Sequence, residues 1–324
     1  MTIADKTQIR LIVGMSRGGT TSMMRALNLR GDVAAYGETG FWGIKHSKSD
    51  AKIERLEINK IANIYRNTQF HPVGDANGSL PIASKEIADS IGNAVEELPD
   101  YSSAAEVFCT MGKAVAEACE RDVWVEKTPH HLLHLDRIIG ADHNARIVIL
   151  IRNPYEFLLS YKHQGDRKPD AVRKNFRNLY HPIIASIICR KYVAETINAL
   201  KKYPENTILV KLEDLKINEK VEVIRVYEHL MLPSVAEPLF PKSNSSFNAS
   251  KEKPRLTNVE MFWLKIFVGN YAKNLSYNLE GGGIDILGVI GSLLSLFVWP
   301  IKNANLLMAM RSKLGAMISR WLIK

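Results

Sequence analysis

The sequence is poor in cysteine. Three are present in 324 residues, Cys109, Cys119 and Cys189, with no C-x-x-C pair and no Cys/His ligand spacing. This excludes a disulfide framework and the common zinc sites, and fits structural thiols in a reducing compartment. The first ten residues, MTIADKTQIR, lack an apolar signal core. A cytoplasmic chain is therefore expected, and Asn-x-Ser triplets such as Asn244–Ser246 are expected to be incidental. No internal repeat is visible. Acidic residues are outnumbered, with 34 Asp and Glu against 43 Lys and Arg and a net charge of +9. That balance favours anionic partners such as nucleotides, acidic glycans or anionic lipid. Nucleic acid is not expected among them. Hydrophobic residues make up 46% and charged residues 24%, enough to bury a core in one large α/β domain with additions or in two small domains.

A second absence lies in the stretch LIVGMSRGGTTSMM, Leu11–Met24. A phosphate-binding loop of the ATP type has the form G-x-x-x-x-G-K-[ST]. Gly14 and Gly19 keep that spacing, but Thr20 stands where the lysine belongs. Nor does an apolar strand end in an aspartate that would hold a metal. The pattern therefore points to an anion handled without a metal. Backbone N–H groups of the turn and of the following helix N-terminus make the anion site, with Gly14, Gly18 and Gly19 letting the backbone come close. Arg17 adds a planar fork of donors, and Thr20, Thr21 and Ser22 add hydroxyls.

Apolar runs place strands at 9–13, 32–38, 122–129, 145–154 and 206–215, the last entering a helix. A helix is expected at 20–29, with Thr20 or Thr21 near its cap. Residues 50–118 are polar, mostly helical in pattern, and look like an insertion over the sheet. Strands alternating with helices imply βαβ units and a mostly parallel sheet, whose ligands sit at the carboxyl ends of the strands. Four of those ends carry GMSRGGTT, YGE, EKTP and RNP, expected to converge on one crevice. Arg152 leaves a strand and Ser160 follows two helical turns later. The pair suits a second phosphate, or equally a salt-bridged arginine and a surface serine.

Taken together, GMSRGGTTSMMRAL, VEKTP and RNPYEFLLSY resemble the sulfotransferases that use 3′-phosphoadenosine 5′-phosphosulfate (PAPS). GDVAAYGETGFW further resembles the heparan sulfate and bacterial carbohydrate branch. The resemblance covers roughly residues 9–165, with a weaker echo in 206–275. It implies an α/β, P-loop-like three-layer fold: a central, mostly parallel sheet flanked by helices, followed here by a C-terminal helical tail. It implies that Arg17, Gly18, Gly19, Thr20, Thr21 and Ser22 cradle the 5′-phosphosulfate, and that Arg152 and Ser160 hold the 3′-phosphate. Glu38 would be the general base, and Lys127 would sit beside the transferring group with Arg17. Arg17 replaces a lysine of the heparan enzymes. His130 or His131 is the rival base, with both expected to start a helix and one to line the acceptor side. Lys251, Lys253 and Arg255 loosely match a late basic loop. No metal is expected.

The acceptor implied is a hydroxyl of a carbohydrate or glycolipid, with 39–120 on the acceptor side and FWGIKH as an aromatic platform for a sugar ring. The rival readings are a P-loop-type nucleotide kinase and a non-catalytic membrane-associated member of the fold. Residues 1–280 would form the transferase domain and 281–324 a hydrophobic, amphipathic tail. Within that tail IDILGVIGSLLSLFVWP is apolar after Asp285, and Arg311, Lys313, Arg320 and Lys324 are interspersed with Leu, Met and Trp at helical spacing. Such a segment suits peripheral contact with the cytoplasmic face of a membrane, or else a helical pair packed on the domain. The basic stretch 162–181 fits a solvated helix face. The oligomeric state is open.

Overall fold

The computed structural model describes residues 8–43, 52–70, 77–166, 173, 177–233 and 254–303. The chain divides into two compact units, 1–151 with 198–243, and 152–197 with 244–324.

The first unit is built on a parallel sheet. Its strands are β1 (Arg10–Gly14), β2 (Val33–Tyr36), β5 (Val123–Lys127), β6 (Arg146–Ile151) and β7 (Thr207–Lys211), in the order β2-β5-β1-β6-β7. All neighbours run parallel, with Ile12 opposite Lys127 and Val148, and Tyr36 opposite Glu126. The near-continuous apolar runs of the sequence thus become strands covered on both faces. Alternation along the strand sorts the side chains. Ile12, Val123, Val125, Val148, Leu150 and Val210 pack with Met23, Met24 and Leu27 of α1 (Thr20–Asn28). Val223, Val226 and Tyr227 of α9 (Glu219–His229) join the same cluster. Each such aliphatic side chain, once fully buried, contributes about 1.5–3 kcal/mol. Trp124 points the other way, against α4 (Ala104–Ala118), where a Cβ on Gly112 would lie 2.2 Å from its ring.

The segment expected to be an insertion holds α2 (Arg55–Arg66), α3 (Ser84–Glu96) and α4. It also holds a two-stranded antiparallel pair that the sequence did not announce, β3 (Lys52–Glu54) with β4 (Tyr101–Ser103). These strands are three residues each, too short for a periodic signal. The expected helix after Pro129 begins instead as 3-10 turns over Pro129–His134, and becomes α5 only at Leu135–Ala141. β7 runs straight into α8 (Leu212–Ile217).

The second unit is helical. It contains α6 (Pro154–Lys162), most of α7 (Pro182–Lys202), α10 (Asn258–Asn274) and α11 (Ile286–Lys302). Asn153 caps α6 by accepting from Tyr155 N. Glu260 ties the unit together: it closes a capping box with Thr257 and accepts from Lys162 Nζ and from Tyr180 Oη at 2.8 Å. Of the late basic loop, Arg255 is exposed, while Lys251 and Lys253 lie outside the described residues, as does 304–324.

Candidate active site

The turn between β1 and α1 is tight. Met15 N donates to Leu150 O, and Gly18 N donates to Met15 O, each at 2.8 Å. Arg17 and Gly19 both take left-handed backbone, at φ 68° and 97°. The glycines answer to the chain's own packing. A Cβ on Gly14 would meet Leu150 O at 2.0 Å, and one on Gly18 would meet Met15 O at 2.7 Å. Gly19 is the N-cap, with the expected Thr20 as the first helical residue beside it, and no side chain caps α1 among the described residues. The first turn of α1 also holds no acidic residue. Its leading N–H groups, which have no intrahelical partner, are left for an anion. Arg17 and Thr21 are exposed, Ser22 is half-buried and Thr20 is buried.

The next feature lies across β5, the neighbour of β1, and β2, the edge strand beyond it. Glu38 follows β2, and Lys127 ends β5. Lys127 Nζ donates to Glu38 Oε1 at 2.6 Å; the lysine side chain is 4% exposed and the glutamate 55%. A buried cation thus carries an outward-facing carboxylate. His130 is half-buried, within electrostatic reach of both. Burial above all drives its imidazole toward the neutral form; Glu38 works against this, while His131 and Lys127 reinforce it.

Beneath Glu38 lies a network that the sequence reading did not identify. Glu126 is fully buried. Its Oε1 accepts from Thr39 N at 3.1 Å, from Thr39 Oγ1 at 2.9 Å and from Thr128 Oγ1. His131 Nδ1 lies 3.1 Å from Oε2, within ion-pair distance though off the hydrogen-bonding direction. Trp42 N donates to His131 Nε2 at 3.3 Å. Gly40 N donates to Thr128 Oγ1, and Tyr65 Oη to Thr39 O. Burial opposes ionisation of Glu126, but His131, Thr128 and Thr39 outweigh it and hold the carboxyl below the usual carboxylate range. The loop 38–42 is therefore pinned to the end of β5. The only trace in sequence is the threonine beside each glutamate-bearing motif, in ETG and EKTP. His131, expected as a candidate base, points into the protein.

The aromatic platform is overturned. Phe41 and Trp42 are buried, edge-on to each other at 5.2 Å; Phe108 of α4 packs on both, tilted against Phe41 at 5.3 Å and edge-on to Trp42 at 5.4 Å. Neither face is open to a sugar; both extend the core that Trp124 begins. Ile44, Lys45 and His46 lie outside the described residues.

Arg152 and Ser160 belong to the second unit. Ser160 is fully buried on α6, and Arg152 donates through Nη2 to Glu156 Oε2 at 3.1 Å. Arg152 Nε is buried and has no hydrogen-bond partner among the described residues. An orphaned guanidinium donor of this kind fits an anion's oxygen.

A family model described as the sulfotransferase family matches residues 11–237. The chain belongs to the sulfotransferase family. It is an enzyme that transfers a sulfuryl group, from a family that generally uses PAPS as the donor. Among solved structures, the sulfotransferase is similar to the sulfotransferase domain from the Synechococcus PCC 7002 olefin synthase. That match has 13% identity and a TM-score of 0.52, and covers 84% of this chain and 96% of the other. It is similar also to the sulfotransferase domain from the curacin biosynthetic pathway, with 15% identity, a TM-score of 0.50, and coverage of 84% and 99%. At such identities the likeness is one of fold, and the parallel sheet flanked by helices is the fold shared. No protein of curated function matches the sequence.

Proposed function

We propose that this sulfotransferase moves the sulfuryl group of PAPS to a hydroxyl of a carbohydrate or glycolipid, with Glu38 as general base. The observation that carries the assignment is the Glu38–Lys127 pair at 2.6 Å, a carboxylate held outward on a buried ammonium, one strand from the anion-ready turn. PAPS, when bound, supplies an electrophilic sulfuryl group and leaves as 3′-phosphoadenosine 5′-phosphate (PAP). Arg17, Gly18, Gly19, Thr20, Thr21 and Ser22 would hold its 5′ end through backbone N–H groups, hydroxyls and the Arg17 fork. The open first turn of α1 supports this. Arg152 and Ser160 would hold the 3′-phosphate, supported by the orphaned Nε.

Glu38 takes the proton as the acceptor oxygen bonds to sulfur and the bond from sulfur to the 5′-phosphate breaks in line. Lys127 and Arg17 stabilise charge on the equatorial oxygens, as cations do in the analogous phosphoryl transfer. Lys127 would have to turn part of its charge from Glu38 to those oxygens, which frees the carboxylate to act. The acceptor class rests on the likeness of GDVAAYGETGFW to the carbohydrate branch, with 39–120 framing that side. A glycolipid acceptor agrees with peripheral membrane contact through 284–324.

Glu38→Gln should abolish transfer, a loss of about 10²–10⁴-fold or more for a missing base. Calorimetric PAP affinity should stay unchanged. Near-normal turnover would transfer the role to His130, whose neutral imidazole is within reach.

A further inference from the structure

Helix α11 is amphipathic in the reverse sense. Ile286, Leu287, Ile290, Leu293, Leu294, Phe297, Val298 and Ile301 fall at i, i+1, i+4, i+7, i+8, i+11, i+12 and i+15, one continuous stripe. All eight are exposed, Leu287 at 82% and Phe297 at 78%, and no residue of the helix is buried. The opposite face, with Gly288, Val289, Ser292, Leu296 and Trp299 half-buried, turns toward the protein and is anchored by polar contacts. Trp263 Nε1 donates to Ser292 Oγ at 2.8 Å, Ser295 Oγ lies 2.9 Å from His181 Nε2, and a Cβ on Gly288 would meet Val259 Cγ2 at 2.4 Å. Asn303 closes the helix, donating to Asn178 O and Trp299 O. The polar groups of α11 thus fix its orientation on α10 and on the segment before α7, and that orientation turns the apolar stripe outward. An exposed apolar patch of this extent marks an interaction surface.

We propose that α11 lies flat in the headgroup–acyl boundary of an anionic lipid bilayer, with this stripe facing the acyl chains. Length and charge select that occupant. At 17 residues the helix is about 25 Å long, short of the ~30 Å hydrocarbon core, and none of the described helices is long and apolar enough to cross a membrane. It fits in the plane of the interface, where an apolar face sinks about 5–10 Å. From Lys302 to the last residue the sequence has Lys302, Arg311, Lys313, Arg320 and Lys324 and no acidic residue at all. A run of cations with no acidic residue favours an anionic surface over a second copy carrying the same charge, each basic residue near such a surface adding to the attraction. The inference rests on α11 and its flanking charge and is independent of the acceptor assignment.

The test is flotation of the full chain with phosphatidylcholine vesicles, with and without phosphatidylglycerol, and with no donor or acceptor present. It therefore stands or falls apart from the Glu38→Gln result. The wild type should float with phosphatidylglycerol vesicles and lose most of that binding in high salt. Leu294→Asp with Phe297→Asp should reduce partitioning by roughly tenfold or more, because carboxylates replace apolar side chains at the lipid face. Both positions are exposed, so the melting temperature should not move. Failure of the wild type to float, or equal flotation of the double variant, would overturn the proposal. A wild-type dimer that the double variant dissociates would name a second copy as the occupant, and a truncation after Asn303 that floats better than the full chain would name the tail. Either result also overturns it.

Discussion

Glu126 keeps its charge in full burial because Thr39 N, Thr39 Oγ1 and Thr128 Oγ1 donate to it and the His131 ring lies at ion-pair distance, its Nδ1 3.1 Å from Oε2. Its amide counterpart would turn an N–H₂ group toward some of these donors. Glu126→Gln should therefore cost about 1–3 kcal/mol, the range for leaving a buried polar group unsatisfied. If the network positions Glu38, kcat should fall while PAP affinity by calorimetry is kept. Loss of both together, or of neither, would make Glu126 purely structural. The pH dependence has a definite sign. A carboxyl held below its ordinary value of 4.5 contributes its full stability above that value, and loses it as pH falls through the lower, folded value. Urea melts of the wild type should weaken over that acidic range, and those of Glu126→Gln should weaken less. The proposed catalytic pair was legible as residues, since Glu38 and Lys127 stand in recognisable motifs at strand ends. The support beneath it was not. Thr39 reaches Glu126 only because β2 and β5 are neighbours in the sheet, and no local pattern encodes that adjacency; Thr128 and His131 follow Glu126 within five residues, but nothing local marks the contacts they make.

β2 is an edge strand, and its free edge is partly closed by a side chain. Asn28, at the end of α1, donates through Nδ2 to Ala35 O at 2.9 Å and accepts from Ala35 N at 2.6 Å. The amide stands in for a missing neighbour strand, and Nδ2 also reaches Gly78 O. Asn28→Ala should destabilise the enzyme by about 1–3 kcal/mol in urea unfolding, because it orphans a buried backbone N–H and C=O. Asn28→Asp, which can still accept from Ala35 N, should cost less, and equal losses would show that the bond from Ala35 N contributes nothing. The five parallel strands were readable from apolar runs because burial on both faces leaves no polar alternation. The capping boxes at Ser103–Glu106 and Thr257–Glu260 were equally available in the sequence and mark the starts of α4 and α10. Phe41 and Trp42 show the opposite failure. Aromatic residues beside the proposed catalytic carboxylate fit a platform as well as a core, and only the position of Phe108 on α4 distinguishes the two.

At the scale of the whole chain, the two candidate anion sites differ in construction. The first unit offers backbone: an uncapped helix start after a left-handed turn, with Arg17 exposed beside it. The second offers a side chain: Arg152, partly engaged by Glu156 and with its Nε donor unspent among the described residues. Under the proposed assignment, a nucleotide with phosphates at its 5′ and 3′ positions should bind more tightly than one lacking the 3′-phosphate. PAP at about a hundred times its Kd should stabilise the enzyme against unfolding by ~2.7 kcal/mol, since ligand binding to the folded state alone has that effect. Arg152→Ala should abolish the advantage of PAP over AMP while leaving weak AMP binding in place. A chelator should leave the PAP shift intact, because none of the assigned contacts passes through a metal. A shift that required Mg²⁺ and was larger with ATP than with PAP would favour the kinase reading, in which the loop's missing lysine would have to be replaced by a residue from elsewhere.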